Sequence, residues 1–79
     1  MAGPYQPLTK LKKGSRGIVH HFSGGQNLNN RLLVLGFTKG AEVIVQQNSG
    51  FGPVIVLIRD SRIALGRGEA SKVLVKEMN

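Results

Sequence analysis

The sequence predicts a mainly β fold: a small barrel of about five strands carrying one short helix. Two observations point there. Short runs rich in β-branched residues recur at close spacing, with glycine and polar turns between them. One segment instead follows the helical period: Leu28, Leu32 and Leu35 recur at i, i+4 and i+7, and Gly36 follows at once. The length of 79 residues allows one domain. A chain this size hides only roughly 60–65% of its unfolded surface, so its core must be thin.

The elements follow in order. Residues 1–7 contain two prolines and a glycine and predict an extended lead-in to a domain over residues 8–79. Pro7 to Leu11 predicts one helical turn, with Leu8 and Leu11 on the same side. Lys13-Gly14 is a turn signal. Arg16 to Phe22 reads as a first strand, ended by Ser23-Gly24-Gly25. The helix is expected over Asn27 to Leu35, with Asn27 as N-cap and Gly36 as the left-handed residue that stops it. Leu33 widens its apolar stripe, and Arg31 falls on the opposite face.

Glu42 to Gln47 alternates around Val43 and Val45. Val54 to Ile58 is apolar at every position, which predicts burial on both faces. Arg59 to Arg62 is read as a hairpin loop, Ile63 to Leu65 as a fourth strand, Gly68 to Ser71 as a turn and Lys72 to Lys76 as a fifth strand. The expected core comprises Val43, Val45, Ile55, Leu57, Leu65 and Val73, with Phe37 beside them.

Composition removes most kinds of chemistry. Cysteine is absent, which excludes disulfides, thiolate metal sites and cysteine nucleophiles and fits a reducing compartment. No apolar run approaches the ~20 residues of a membrane span, and no signal-peptide core precedes the domain. The expectation is a soluble cytoplasmic chain. Neither a nucleophile turn of the G-x-S-x-G type nor a phosphate loop of the G-x-x-x-x-G-K-[ST] type occurs. His20 and His21 are the only histidines. Neighbours on a regular strand point to opposite faces, so no metal site and no cofactor are expected.

The charge is one-sided. Of the formal +7, +6 lies in residues 1–41, which contain no acid. Such a field favours an acidic partner. The surface candidates for binding are Lys12, Lys13 and Arg16 on the basic run, Arg31 on the outer helix face, and Phe51 between two glycines at a loop tip. The competing reading for Phe51 is a ring folded back over the barrel mouth. A small nucleic-acid-binding barrel is the alternative function, supported by charge alone, since few aromatics are present for base stacking.

From Leu8 to Val75 the chain resembles the FeoA family of ferrous iron transport proteins. The resemblance rests on Leu8-x-x-Leu11-x-x-Gly14, Arg31-Leu32-x-x-Leu35-Gly36-x-x-x-Gly40, Gly52-Pro53-Val54, and Ile63-Ala64-Leu65 followed by Ala70. It implies an SH3-like barrel with a short helical insertion, no catalytic residues, and a cytoplasmic accessory or regulatory role in ferrous iron uptake. The implied partner is FeoB, a membrane iron transporter with a cytoplasmic guanine-nucleotide-binding domain, which would recruit the chain to the inner face of the membrane. A related domain also ends some iron-dependent repressors.

Overall fold

The computed structural model describes residues 4–78. Six strands, β1 (Tyr5–Pro7), β2 (Arg16–Phe22), β3 (Glu42–Gln47), β4 (Val54–Ile58), β5 (Ser61–Leu65) and β6 (Val73–Met78), form one antiparallel sheet. Its order is β1-β6-β2-β3-β4-β5. A 3-10 turn, Leu8–Lys10, follows β1; helix α1 (Gln26–Val34) links β2 to β3, and the single turn α2 (Arg67–Ala70) links β5 to β6. The sheet has six strands where the sequence predicts about five. The added one is β1, within the expected lead-in: Tyr5 pairs with Lys76 and Pro7 with Leu74 at the sheet edge. An edge strand is where a proline is tolerated. The rest of the lead-in, residues 1–3, lies outside the described residues.

The core is the inner face of this sheet. Val19, Val43, Val45, Val54, Val56, Ile58, Leu65, Val73 and Val75 are buried on it, with Leu8, Leu11, Leu32, Phe37 and Ala70 closing the open sides. Leu8 and Leu11 share one side of the 3-10 turn, as their spacing predicts. Among the described residues no polar side chain is buried. Two of the expected core residues are not in it. Ile55 and Leu57 are half-buried on the outer face, while Val54, Val56 and Ile58 point inward.

The uniform apolar run of β4 carries no parity of its own, so the following turn must set it. Arg59 and Asp60 have φ of 50° and 64°. These are the two central residues of a tight two-residue hairpin, which pairs Ile58 directly with Ser61. The expected four-residue loop Arg59–Arg62 is therefore shorter, and β5 begins at Ser61. Once Ile58 faces inward, alternation sends Leu57 and Ile55 outward.

Helix α1 begins at Gln26, and its N-cap lies two residues earlier than expected. Gly25, not Asn27, is its N-cap, with no side-chain cap bond. Its end is as predicted. The Phe37 N–H donates to Leu32 O and the Gly36 N–H to Leu33 O, with Gly36 at φ 106°. This crossed pair of bonds closes the helix through a left-handed glycine and brings Phe37 against Leu32 in the core. The leucine stripe is narrower than its spacing suggests: Leu32 is buried and Leu28 half-buried, but Leu33 and Leu35 are exposed and Val34 is 88% exposed. Arg59 Nε and Nη2 donate to Gly36 O and Thr38 Oγ1, tying the β4–β5 turn to the helix end.

Two substitutions test this arrangement by chemical denaturation. Ile58→Ala should cost about 2–5 kcal/mol, from transfer and cavity terms together. The adjacent Leu57→Ala should cost much less, and the reverse order would contradict the inward parity of β4. Gly36→Ala should cost at least about 1 kcal/mol, because alanine resists positive φ and its Cβ would meet Arg59 Cδ at 3.0 Å.

Candidate functional site

The β3–β4 loop supplies the most exposed aromatic. Phe51 is 79% exposed at its tip, so it does not plug the barrel. The loop nonetheless has a fixed base. Asn48 Nδ2 donates to Thr9 O at 2.9 Å and Leu11 O at 2.8 Å, holding the loop against the 3-10 turn. From α2, Arg67 Nη2 donates to Asn48 Oδ1 at 2.7 Å and Nη1 to Gly52 O at 3.2 Å. Asn48 and Arg67 thus frame the loop, and the sequence reading passes over both. Only the contacts between distant segments reveal them, since neither belongs to a local motif.

The same anchoring sets the basic run beside the loop. Lys12 and Lys13 follow Leu11 directly in the turn before β2, where Gly14 at φ 89° donates its N–H to Val45 O. Both lysines are exposed, and neither makes an ion pair among the described residues. Lys12 and Lys13 therefore follow the residue that the base of the Phe51 loop is hydrogen-bonded to. Arg16 begins β2 on the outer face of the sheet, opposite Ile44, and pairs with Glu42 at 3.3 Å. Arg31 is exposed on α1 as predicted but is bound to Glu69 of α2. Its charge is partly neutralised.

The exposed apolar end of α1 goes unannounced in the leucine spacing. A shallow groove of about 380 Å³ runs along it, lined by Asn27, Asn30, Arg31, Val34 and Leu35. The signal in the sequence is the run Leu32 to Leu35: four consecutive apolar residues cover more of a helix than one buried stripe accommodates.

The histidines depart from the expected geometry. Between β2 and β6 the register passes from Val19–Val75 to His21–Leu74, leaving His20 as an extra residue. This bulge breaks the alternation that should separate the two rings. Instead His20 Nδ1 lies 2.7 Å from His21 Nδ1, and the Tyr5 ring stacks on His20 with centroids 3.9 Å apart. Desolvation, the Lys39 ammonium and His21 lower the His20 pKa from its ordinary 6.5. Among the described residues no three His, Cys, Asp or Glu side chains converge on one point. No helix there is long and apolar enough to cross a membrane.

The surface therefore offers charge, one exposed ring and a paired imidazole, without a gathered set of acid, base and nucleophile. Comparison with known proteins agrees with the barrel and with the iron-transport resemblance. Residues 6–77 match the FeoA domain family. A protein of Methanocaldococcus jannaschii, assigned as Fe(2+) transport protein A, is 37% identical over 71 residues, covering 90% of this chain and 85% of that protein. A crystal structure of an iron uptake regulatory protein (FeoA) superposes with a TM-score of 0.88 at 34% identity, over 94% of this chain and 99% of the other. The zinc complex of Stenotrophomonas maltophilia FeoA superposes with a TM-score of 0.81 at 27% identity, over 94% and 96% of the two chains. That protein is described as an SH3 domain protein and a candidate activating factor for bacterial ferrous iron transport. With the match spanning nearly all of its length and the SH3-like barrel in common, this chain belongs to the FeoA family of ferrous iron transport proteins.

Proposed function

We propose that this chain is a non-catalytic, cytoplasmic accessory factor that regulates ferrous iron uptake by binding the cytoplasmic part of a FeoB-type transporter. Family membership supports ferrous iron transport as the process, and the FeoB-type partner is inferred from it. The observation that carries the reading is the Phe51 loop: an exposed aromatic ring on a loop whose base is hydrogen-bonded to the segment leading into Lys12 and Lys13, which make no ion pair among the described residues. A ring in that position loses little conformational freedom on docking, and aromatic anchors of this kind dominate interface energies. The adjacent cations steer an acidic partner toward it.

Arg16 and Arg31 contribute less to this face than Lys12 and Lys13. Each already holds a carboxylate, and breaking an exposed pair to form another yields little net gain. Guanine-nucleotide chemistry belongs to the transporter in this scheme. The chain itself is expected to hydrolyse nothing.

Binding kinetics against the transporter's soluble domain, or the full transporter in a membrane mimic, test the proposal. The Lys12→Glu/Lys13→Glu double variant should slow association about tenfold at low salt and flatten its salt dependence. Phe51→Ala should raise the dissociation rate by about tenfold or more. It should leave the melting temperature unchanged, because the ring covers nothing in the core. No measurable binding of the unaltered chain to either form of the transporter overturns the partner assignment. If a short oligonucleotide then binds near physiological salt with a steep salt slope, the nucleic-acid reading takes its place.

A further inference from the structure

The bulge in β2 performs no task in the docking scheme above, yet it places two imidazoles as a regular strand would not. The rings of His20 and His21 stand at 84° with centroids 4.9 Å apart, and their Nδ1 atoms meet at 2.7 Å. A neutral imidazole carries one N–H and one lone pair. The contact therefore requires one ring with its proton on Nδ1 and the other with its proton on Nε2. Tyr5, held at the sheet edge by its pairing with Lys76, stacks on His20 at an interplanar angle of 25° and orients that ring. His21 is exposed and His20 half-buried, so the pair faces solvent on one side.

We propose that His20 and His21 form a bidentate site for a borderline divalent transition-metal cation, of the class of Zn²⁺ and Fe²⁺, bound through both Nδ1 atoms. Imidazole nitrogen suits these ions, whereas Mg²⁺ and Ca²⁺ prefer oxygen. Ligand distances of about 2.0–2.1 Å around a tetrahedral ion place two nitrogens about 3.3 Å apart. A small rotation of the exposed His21 ring opens the 2.7 Å contact to that span. The ion then replaces the shared proton, which moves from Nδ1 to Nε2 of its own ring. Both rings stay neutral, so binding near neutral pH releases no net proton, and the remaining coordination positions are filled by water.

Two features set the strength of the site. It has two protein ligands, so it is an exchangeable site and not a structural one. Lys39 places a positive charge close enough to disfavour the His20 imidazolium, and the same charge opposes a metal cation. Acidity weakens binding because protons compete for the same lone pairs.

Titration of the full chain with zinc chloride, followed by NMR of the imidazole and amide resonances, tests the site. At neutral pH the expected result is saturable shifts centred on His20, His21 and the stacked Tyr5, with none from magnesium. His20→Ala and His21→Ala should each weaken zinc affinity at least tenfold, and Lys39→Ala should tighten it severalfold. Lowering the pH to 5.5 should weaken it, because protons compete for the same lone pairs. His21 and Lys39 are exposed, so their variants should keep the melting temperature of the unaltered chain, whereas His20→Ala also removes the ring stacked on Tyr5. Zinc shifts centred away from the pair, unchanged affinity in the double alanine variant, or no saturation at millimolar zinc would each overturn the assignment.

Discussion

The structure depends on covering the inner face of a single sheet. Among the described residues no second sheet packs against it, and α1 buries only Leu32 completely. The sheet must curl until its own inward side chains meet, and the open sides must then be closed by isolated residues from the connections. Leu8 and Leu11 do so from the 3-10 turn and the residue that ends it, Leu32 from the helix and Phe37 from just after Gly36, and Ala70 from α2. In a chain of 79 residues each of these closures carries a large share of a small total stability. The tight helix end at Gly36 and the clamp from Arg59 therefore serve the core even though both lie at the surface. They hold Phe37 in place.

This economy explains what remains outside. Each of these connections closes the core with one or two side chains and leaves others exposed, as α1 does, and three of the exposed features stand out. One is the β3–β4 loop, whose base is hydrogen-bonded while its tip carries Phe51. Another is the turn bearing Lys12 and Lys13, which follows the core residue Leu11 without a break. A third is the bulge at His20. The first two form the face proposed above for an acidic partner surface, in a chain of a family that serves ferrous iron transport.

Much of the fold is legible in the sequence because it rests on local chemistry. Gly36 after a helical leucine pattern announces the helix end, and the turn at Gly14 and the alternation of Glu42 to Gln47 mark their elements. Strand parity in Val54 to Ile58 is different in kind. Every position there is apolar, so the choice of inner face passes to the Arg59–Asp60 turn, whose positive φ values neither residue type makes obligatory. The bulge at His20 is equally silent, since it arises from pairing with β6 and not from the residues of β2 themselves. Within the candidate site, the glycines flanking Phe51 leave open both an exposed ring and one folded back over the barrel mouth, and the structure decides for exposure. The anchoring by Asn48 and Arg67, and the engagement of Arg16 and Arg31 by Glu42 and Glu69, are contacts between segments 15 or more residues apart and leave no trace in local spacing.

The central claim is that one continuous surface, formed by the Phe51 loop and the neighbouring lysine turn, receives the transporter. Amide chemical-shift mapping of the isotope-labelled chain during titration with the transporter's cytoplasmic domain tests it most directly. The account predicts perturbations concentrated at residues 10–14 and 48–53, with the outer-face positions Ile44, Ile55 and Leu57 unaffected. Perturbations confined to that outer sheet face or to the exposed end of α1, with the Phe51 loop unchanged, would contradict it.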